Sequence, residues 1–294
     1  MKGGTRDGDP LGGVQMSTAV QNAGGFACTW SDSATGVVRV SLTVVPEAVA
    51  ADDRIRAEFA AREGGAAATA PSPLSAGCIF DYCVVKGFNG STDVNLHVYD
   101  MPWNDSGSVD RPEIETIREE VSAHLDSLPA VKPLPELSAE WGAGPTSCDE
   151  MLPPEQLATD LAVTAVRYDV GYAYEESNGW DVALLAAGGF TCRYHADAAL
   201  GGRITVLPDA GGALGSIPPS EDLISIEVPG ASAAGLVSCW SNREPFEAGT
   251  GQCTVHVPMR GAWVSVLTAS SSTAADLLQV EAAHVATAIA SALG

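Results

Sequence analysis

The stretch GGFACTW occupies residues 24–30 and returns as GGFTCRY at residues 188–194, 164 positions further along the chain. A second match follows each stretch, because SLTVVPEA at residues 41–48 corresponds to RITVLPDA at residues 203–210. Self-similarity of this kind is typical of a protein built from repeated units. The sequence therefore predicts two diverged copies of one domain.

The similarity continues to the end of each copy. Residues 83–99 align without a gap on residues 253–269, and both copies then close with a segment of helical periodicity. The matches keep the same order and differ only by small changes in loop length, which indicates a duplication. We predict a first repeat over residues 1–130, a Pro-rich linker over residues 131–145 and a second repeat over residues 146–294.

The spacing of apolar residues predicts the fold of each copy. In residues 38–44 every second residue is valine or leucine, the period of a strand with one buried face and one face in solvent. From Asp110 to Leu128, and again from Leu278 to Leu293, apolar residues recur at helical spacing. The predicted fold class is α+β, with two tandem copies of an antiparallel sheet and helices packed on one face.

The two copies differ at two places. Residues 52–63 have a helical pattern, whereas the equivalent stretch near residues 214–225 contains two adjacent prolines, so that helix is expected to be lost or shortened. Residues 147–174, which include a predicted helix over residues 153–161, have no counterpart in front of Val14. The first repeat is therefore expected to lack its N-terminal element.

The seven cysteines follow the repeat. Three matched pairs relate the two copies, namely Cys28 with Cys192, Cys78 with Cys239, and Cys83 with Cys253. In each copy the later two cysteines flank a turn, so Cys78–Cys83 and Cys239–Cys253 are predicted disulfides between neighbouring strands. Cys148 is then left to pair with Cys192, and Cys28 is predicted to be unpaired. Buried free thiols and metal binding are the alternatives to this interpretation.

Motifs that carry chemistry are missing from the sequence. It contains no nucleophile elbow, phosphate-binding loop, dinucleotide fingerprint or zinc-protease motif. Its five histidines are scattered and no Cys-x-x-Cys pair occurs, so we expect neither a metal site nor a cofactor. Asp7-Gly8-Asp9 resembles the start of a calcium loop without the closing glutamate. The acidic pairs Glu119-Glu120 and Glu175-Glu176 are typical of solvated surface. From the missing motifs we expect that the chain is not an enzyme.

Charge and hydropathy restrict the partners and the compartment. The formal charge of −22 repels phosphate backbones, which excludes nucleic acid as a partner. No apolar run reaches the roughly 18 residues of a membrane-spanning helix. Residues 1–13 are polar and rich in glycine, and they show neither the apolar core of a signal peptide nor a lipobox. The cysteine pairs nevertheless favour an extracellular or cell-surface location.

A cysteine near the start of a domain, a later Gly-Gly-x-x-Cys-x-Trp turn and a closing helix resemble secreted proteins and lipoproteins of actinobacteria. Residues 24–30 carry the resemblance in the first copy, and residues 148–153 with 188–194 carry it in the second. Tyr194 stands where tryptophan is usual in that family. The resemblance implies an exported domain of PsbP-like α+β shape with no established activity.

Two classes of function fit these observations. The first is a non-catalytic extracytoplasmic binding or scaffold protein of the bacterial cell surface, with a peptide, glycan, lipid or protein ligand. The aromatic residues that could line its site or pack in the core are Trp103, Tyr172, Tyr174, Trp180, Trp240 and Trp263. The alternative is a secreted hydrolase whose catalytic residues are distant in sequence. Loss of a front helix from the first repeat is expected to uncover Phe26 and Trp30 beside Cys28.

Overall fold

The computed structural model describes most of the chain, and two antiparallel sheets and eight helices lie within the part that it describes. None of these helices combines the length and the apolar character that crossing a bilayer requires. The described residues are 11–35, 38–63, 71–79, 82–99, 112–127, 141–142, 144–171, 179–196, 200–220, 223–241, 251–269 and 275–293.

The first repeat forms a five-stranded sheet in the order β1-β2-β5-β4-β3. Its helices are α1 (Gly12–Asn22), α2 (Val49–Glu63) and α3 (Pro112–Asp126), and its strands are β1 (Phe26–Ser31), β2 (Val38–Val45), β3 (Ser75–Ile79), β4 (Tyr82–Asn89) and β5 (Thr92–Val98).

The second repeat forms a seven-stranded sheet in the order β6-β7-β8-β12-β11-β10-β9. Its helices are α4 (Cys148–Met151), α5 (Pro154–Asp160), α6 (Trp180–Ala186), α7 (Gly211–Gly215) and α8 (Ala275–Leu293). Its strands are β6 (Val166–Val170), β7 (Phe190–Ala196), β8 (Leu200–Leu207), β9 (Ile224–Ile226), β10 (Gly235–Ser241), β11 (Gly251–Met259) and β12 (Ala262–Ala269).

The two sheets share one cross-strand register. Cys28 lies opposite Leu42 in the first sheet, and Cys192 lies opposite Ile204 in the second. The correspondence continues strand by strand to the cysteine pair near the far edge of each sheet. The second sheet adds β6 beside β7 and β9 beside β10. The shared strand order and register confirm the predicted repeat.

The closing helix of each repeat packs on the apolar face of its sheet. Ile114 of α3 is buried in a cluster with Val85 and Leu96. The apolar stripe of α8 is buried as its spacing predicted, at Leu278, Ala282, Val285, Ile289 and Leu293. α2 has 15 residues and its counterpart α7 has five, which is the shortened helix that the adjacent prolines predicted.

Two compact units divide the chain, and they differ from the sequence repeats. The first unit consists of Met1–Gly3, Ala19–Pro135 and Ala173–Ala186, and the second of Gly4–Thr18, Glu136–Tyr172 and Ala187–Gly294. The main boundary therefore falls inside the predicted linker, but two segments belong to the unit of the other repeat. Residues 131–140 and 143 of the predicted linker lie outside the described residues, and Trp141 is buried in the core of the second unit.

The two displaced segments contain residues 12–18 of α1 and the whole of α6, and these two helices are equivalent in the repeats. α1 leads into Gly24-Gly25 and β1, and α6 leads into Gly188-Gly189 and β7. In the second unit, the buried side-chain amide of Gln15 on α1 donates to the Trp263 carbonyl (3.5 Å) and accepts from the Ser265 hydroxyl (3.1 Å). In the first unit, α6 packs on α2 and β2. Each sheet thus has a helix against its second face as well.

These helices alter the prediction for the polar face of the sheets. Alternation in residues 38–44 predicted that one face of β2 lies in solvent, but Ser41 and Thr43 on that face are half-buried, and the same face is covered further on the neighbouring strands. Asp93 and Asn95 of β5 are buried, as are Thr205 of β8 and Ser265 of β12. The physical reason is that alternation identifies which residues share a face, whereas their exposure depends on which other element packs there.

Replacing Gln15 tests the location of α1 in the second unit. Gln15→Ala removes the acceptor of the Ser265 hydroxyl in a buried setting, so the free energy of unfolding should fall by about 1–2 kcal/mol. Urea unfolding followed by circular dichroism measures this change. The control Gln156→Ala, exposed on α5, should stay within about 0.5 kcal/mol of the parent. Equal effects of the two substitutions would contradict the described packing of α1.

Candidate binding surface

In the second unit, the segment before β7 covers that strand. α4 is joined to β7 by the disulfide Cys148–Cys192, whose Cα atoms are 6.5 Å apart. α5 packs on β6 and α8, and β6 pairs with β7 from Val166 opposite Ala196 to Val170 opposite Cys192. We call residues 147–170 the cover segment.

Local hydrogen bonds hold the cover segment in shape. The Ser147 hydroxyl caps α4 by accepting from the Glu150 backbone N–H (3.3 Å), and the Glu150 carboxylate accepts from the backbone N–H and the hydroxyl of Thr146 (2.8 and 2.9 Å). Further along, the Tyr168 hydroxyl on β6 donates to the Leu152 carbonyl at 2.9 Å. This last bond fixes the strand of the cover segment to the turn that follows α4.

Beneath the cover segment, the apolar side chains of β7 are removed from solvent. Phe190, Cys192 and Tyr194 occupy alternate positions and therefore lie on one face of the strand. Their exposed fractions are 2%, 7% and 0%, and all three belong to the core cluster that α8 closes. In this unit the strand is part of the core.

The equivalent strand of the first unit, β1, is an edge strand without such a cover. It pairs only with β2, and the described part of the first repeat contains no counterpart of α4, α5 or β6. Phe26 is 40% exposed and Trp30 is 51% exposed, and Cys28 between them is a half-buried free thiol. We call these three residues the β1 surface. It has the exposed aromatic pair and the unpaired cysteine that the sequence predicted.

The three disulfides of the structure join the cysteines that the sequence analysis paired. Cys78 and Cys83 lie directly opposite each other on β3 and β4, with Cα atoms 4.0 Å apart. Cys239 and Cys253 do the same on β10 and β11, at 4.1 Å. With Cys148–Cys192, six of the seven cysteines are bonded, and the remaining thiol lies on the β1 surface.

A buried polar strip lies on the opposite face of the first sheet. Asp93 and Asn95 alternate along β5, and Gly179 beside them has a φ of +71°, which glycine adopts without strain. A Cβ atom at Gly179 would lie 3.4 Å from both Asp93 Oδ2 and Thr43 Cγ2, so this glycine lies beside the strip. Sequence reasoning missed this strip because only the packing of α6 shows that it is buried.

Burial changes the ionisation of Asp93. Within the described residues its Oδ2 accepts no hydrogen bond. Loss of hydration and, to a smaller extent, the negative charge of Asp52 on α2 raise the pKa of Asp93, while a hydrogen bond from the Val94 backbone lowers it; together these effects give a pKa of about 7. The strip therefore holds a carboxyl group that exchanges its proton near neutral pH.

The aromatic residues selected from the sequence do not form a common site. Trp263 is fully buried, and its indole N–H donates to His256 Nδ1 at 3.0 Å, so it belongs to the core. Trp180 is half-buried at the start of α6 in the first unit. Trp103, Tyr172, Tyr174 and the side chain of Trp240 lie outside the described part of the structure. The exposed pair on β1 is a better candidate for ligand contact.

Ionisable residues offer one arrangement relevant to hydrolysis. His195 Nε2 on β7 lies 3.0 Å from Asp169 Oδ2 on β6, and Arg167 Nη2 lies 3.9 Å from the same oxygen. The described residues contain no group of three or more side chains that could hold a metal ion. Glu119-Glu120 is exposed on α3, whereas Asp7-Gly8-Asp9 and Glu175-Glu176 lie outside the described residues.

No protein-family model, curated protein or solved structure matches this chain. The resemblance to secreted proteins of actinobacteria therefore stays a prediction from the motif residues. The second repeat serves as the structural comparison for the first, since both have the same register around β1 and β7.

The pKa of Asp93 predicts a pH-dependent stability. Its carboxyl group has a higher pKa in the folded chain (about 7) than in the unfolded chain (3.8), so deprotonation between these values costs folding free energy as the pH rises. Asp93→Asn should raise the free energy of unfolding at pH 8 by up to about 4 kcal/mol, and the gain should vanish by about pH 4. Urea titrations at several pH values measure the difference. The exposed Asp160→Asn serves as control and should show no comparable pH dependence.

Proposed function

We propose that this chain is a non-catalytic extracytoplasmic binding or scaffold protein of the bacterial cell surface, and that its β1 surface binds an extended segment of another polypeptide. One observation carries the proposal. Phe190 and Tyr194 are buried in one core cluster with Cys148, Met151 and Leu152 of the cover segment, whereas Phe26 and Trp30 at the equivalent positions are 40% and 51% exposed.

The unpaired backbone edge of β1 favours a polypeptide ligand, because a polypeptide can add to the sheet as a further strand. β1 is at the edge of its sheet, so one side of its backbone has N–H and C=O groups that a further strand can pair with. β6 satisfies the same groups of β7 in the second unit. A glycan or a lipid could cover the aromatic rings but would leave most of this backbone unpaired.

The apolar side chains add the second part of the binding energy. Phe26 and Trp30 lie two residues on either side of Cys28, so one strand beside β1 can contact all three side chains. The other large apolar side chains with more than a third of their surface exposed, such as Ile224 and Val280, lie singly on different elements. Two aromatic rings on one face of an edge strand are typical of an interaction site.

Export from the cytoplasm is supported by the cysteines. Three disulfides in one chain persist in oxidising compartments and are rare in the cytosol. The motif resemblance to secreted actinobacterial proteins agrees with this location. The charge of −22 disfavours nucleic acid and anionic lipid as the partner.

A peptide taken from the chain itself tests the proposal. Residues 145–171 with Cys148→Ser, labelled with a fluorophore, should bind the full chain in an anisotropy titration under non-reducing conditions. The Cys148–Cys192 disulfide holds the chain's own cover segment in place, which leaves β1 as the free acceptor strand. Trp30→Ser removes a large apolar contact and should weaken binding about tenfold or more.

Ile224→Ser is the matched control, because Ile224 is also an exposed apolar residue on an edge strand. This variant should bind the peptide with the affinity of the parent chain. Absence of peptide binding to the parent, or equal weakening by both substitutions, would contradict strand addition at β1.

A further inference from the structure

We infer that Cys28 is a covalent anchor, and that the segment bound on β1 carries a cysteine which forms a disulfide with it. This inference rests on the proposed function and specifies the chemistry of the partner. Cys28 is the free cysteine of the chain, and its equivalent in the second unit, Cys192, bonds to the cover segment.

The register specifies where the partner's strand should lie. Val170 of the cover segment lies opposite Cys192, and Tyr168 lies opposite Tyr194. Since β1 and β7 share one register, a strand added to β1 should place its corresponding residues opposite Cys28 and Trp30. The partner's strand is therefore expected to have apolar or aromatic residues two positions apart.

The cover segment also specifies where the partner's cysteine should lie. Cys148 is at the start of α4, 18 residues before β6 begins at Val166. The Tyr168–Leu152 hydrogen bond holds the turn after α4 against β6. The Cα atoms of Cys148 and Cys192 are 6.5 Å apart, within the range that a disulfide spans. A partner with a capped Cys-containing turn about 18 residues before a strand fits the same geometry.

The anchoring reaction is a thiol–disulfide exchange. The Cys28 thiolate attacks the partner's cysteine sulfur, which is held in a mixed disulfide with a small thiol such as glutathione. A new bond forms between the two protein sulfurs while the old sulfur–sulfur bond breaks, and the small thiolate leaves and takes up a proton. The number of disulfides does not change, so no further oxidant is consumed.

The test uses the peptide of residues 145–171 with Cys148 present as its glutathione mixed disulfide. Mixed with the full chain, it should give a covalent adduct about tenfold or more faster than a scrambled peptide of the same composition, because binding raises the local concentration of the reacting sulfurs. Mass spectrometry of unreduced tryptic fragments should locate the adduct at Cys28 and not at Cys192. Cys28→Ser should abolish the adduct.

The outcomes separate the anchor from the proposed function. If the Cys148→Ser peptide binds but the cysteine form is captured no faster than the scrambled peptide, the anchor is wrong and strand addition stands. If neither peptide binds, both proposals fail. A chain that reacts mainly with itself to give a Cys28–Cys28 dimer would also overturn the anchor, since the acceptor would then be a second copy of the chain.

Discussion

A helix is about 10 Å across and neighbouring strands are about 4.8 Å apart, so one closing helix shields about two strands of a sheet. In this protein α8 packs on β10, β11 and β12, and α3 packs on β3 and β4. The strands at the other end of each sheet therefore need a second cover for their apolar side chains. The properties of the candidate site depend on how each unit meets this requirement.

The second unit covers the apolar side chains of β7 with a segment of its own chain. β6 lies beside β7 in the sheet, α4 packs on β7, α5 packs on β6 and α8, and a disulfide joins α4 to β7. The first unit has the same strand order and register but leaves two aromatic side chains of β1 about half exposed, so each forgoes part of the roughly 1.5–3 kcal/mol that full burial contributes. Because the acceptor strand is already paired with β2, a ligand can add to it with little ordering of the protein.

Much of the fold, and the β1 surface itself, could be predicted from the sequence. Residues that match between the repeats occupy matching strands, and paired cysteines require neighbouring backbones, so the equivalence of the strands, the disulfide pairs and the unpaired Cys28 followed from local patterns. The order of the strands within each sheet did not follow from them. The placement of α1 and α6 did not follow. A repeat identifies equivalent helices such as those before Gly24 and Gly188, but not the sheet on which each one packs. The burial of Asp93 was missed for the same reason, since α6 and Gly179 are far from β5 in sequence.

The membership of α6 in the first unit also sets an order of events during synthesis. Thr43 and Gly179 are neighbours in space, since a Cβ atom at Gly179 would lie 3.4 Å from Thr43 Cγ2, although they are 136 positions apart in the chain. The first sheet can pair its strands as soon as β5 has been made, but its second face stays open until residue 186 has left the ribosome. Until then Asp93 and Asn95 remain hydrated. The first half of the chain thus completes its folding only when much of the second half has been synthesised.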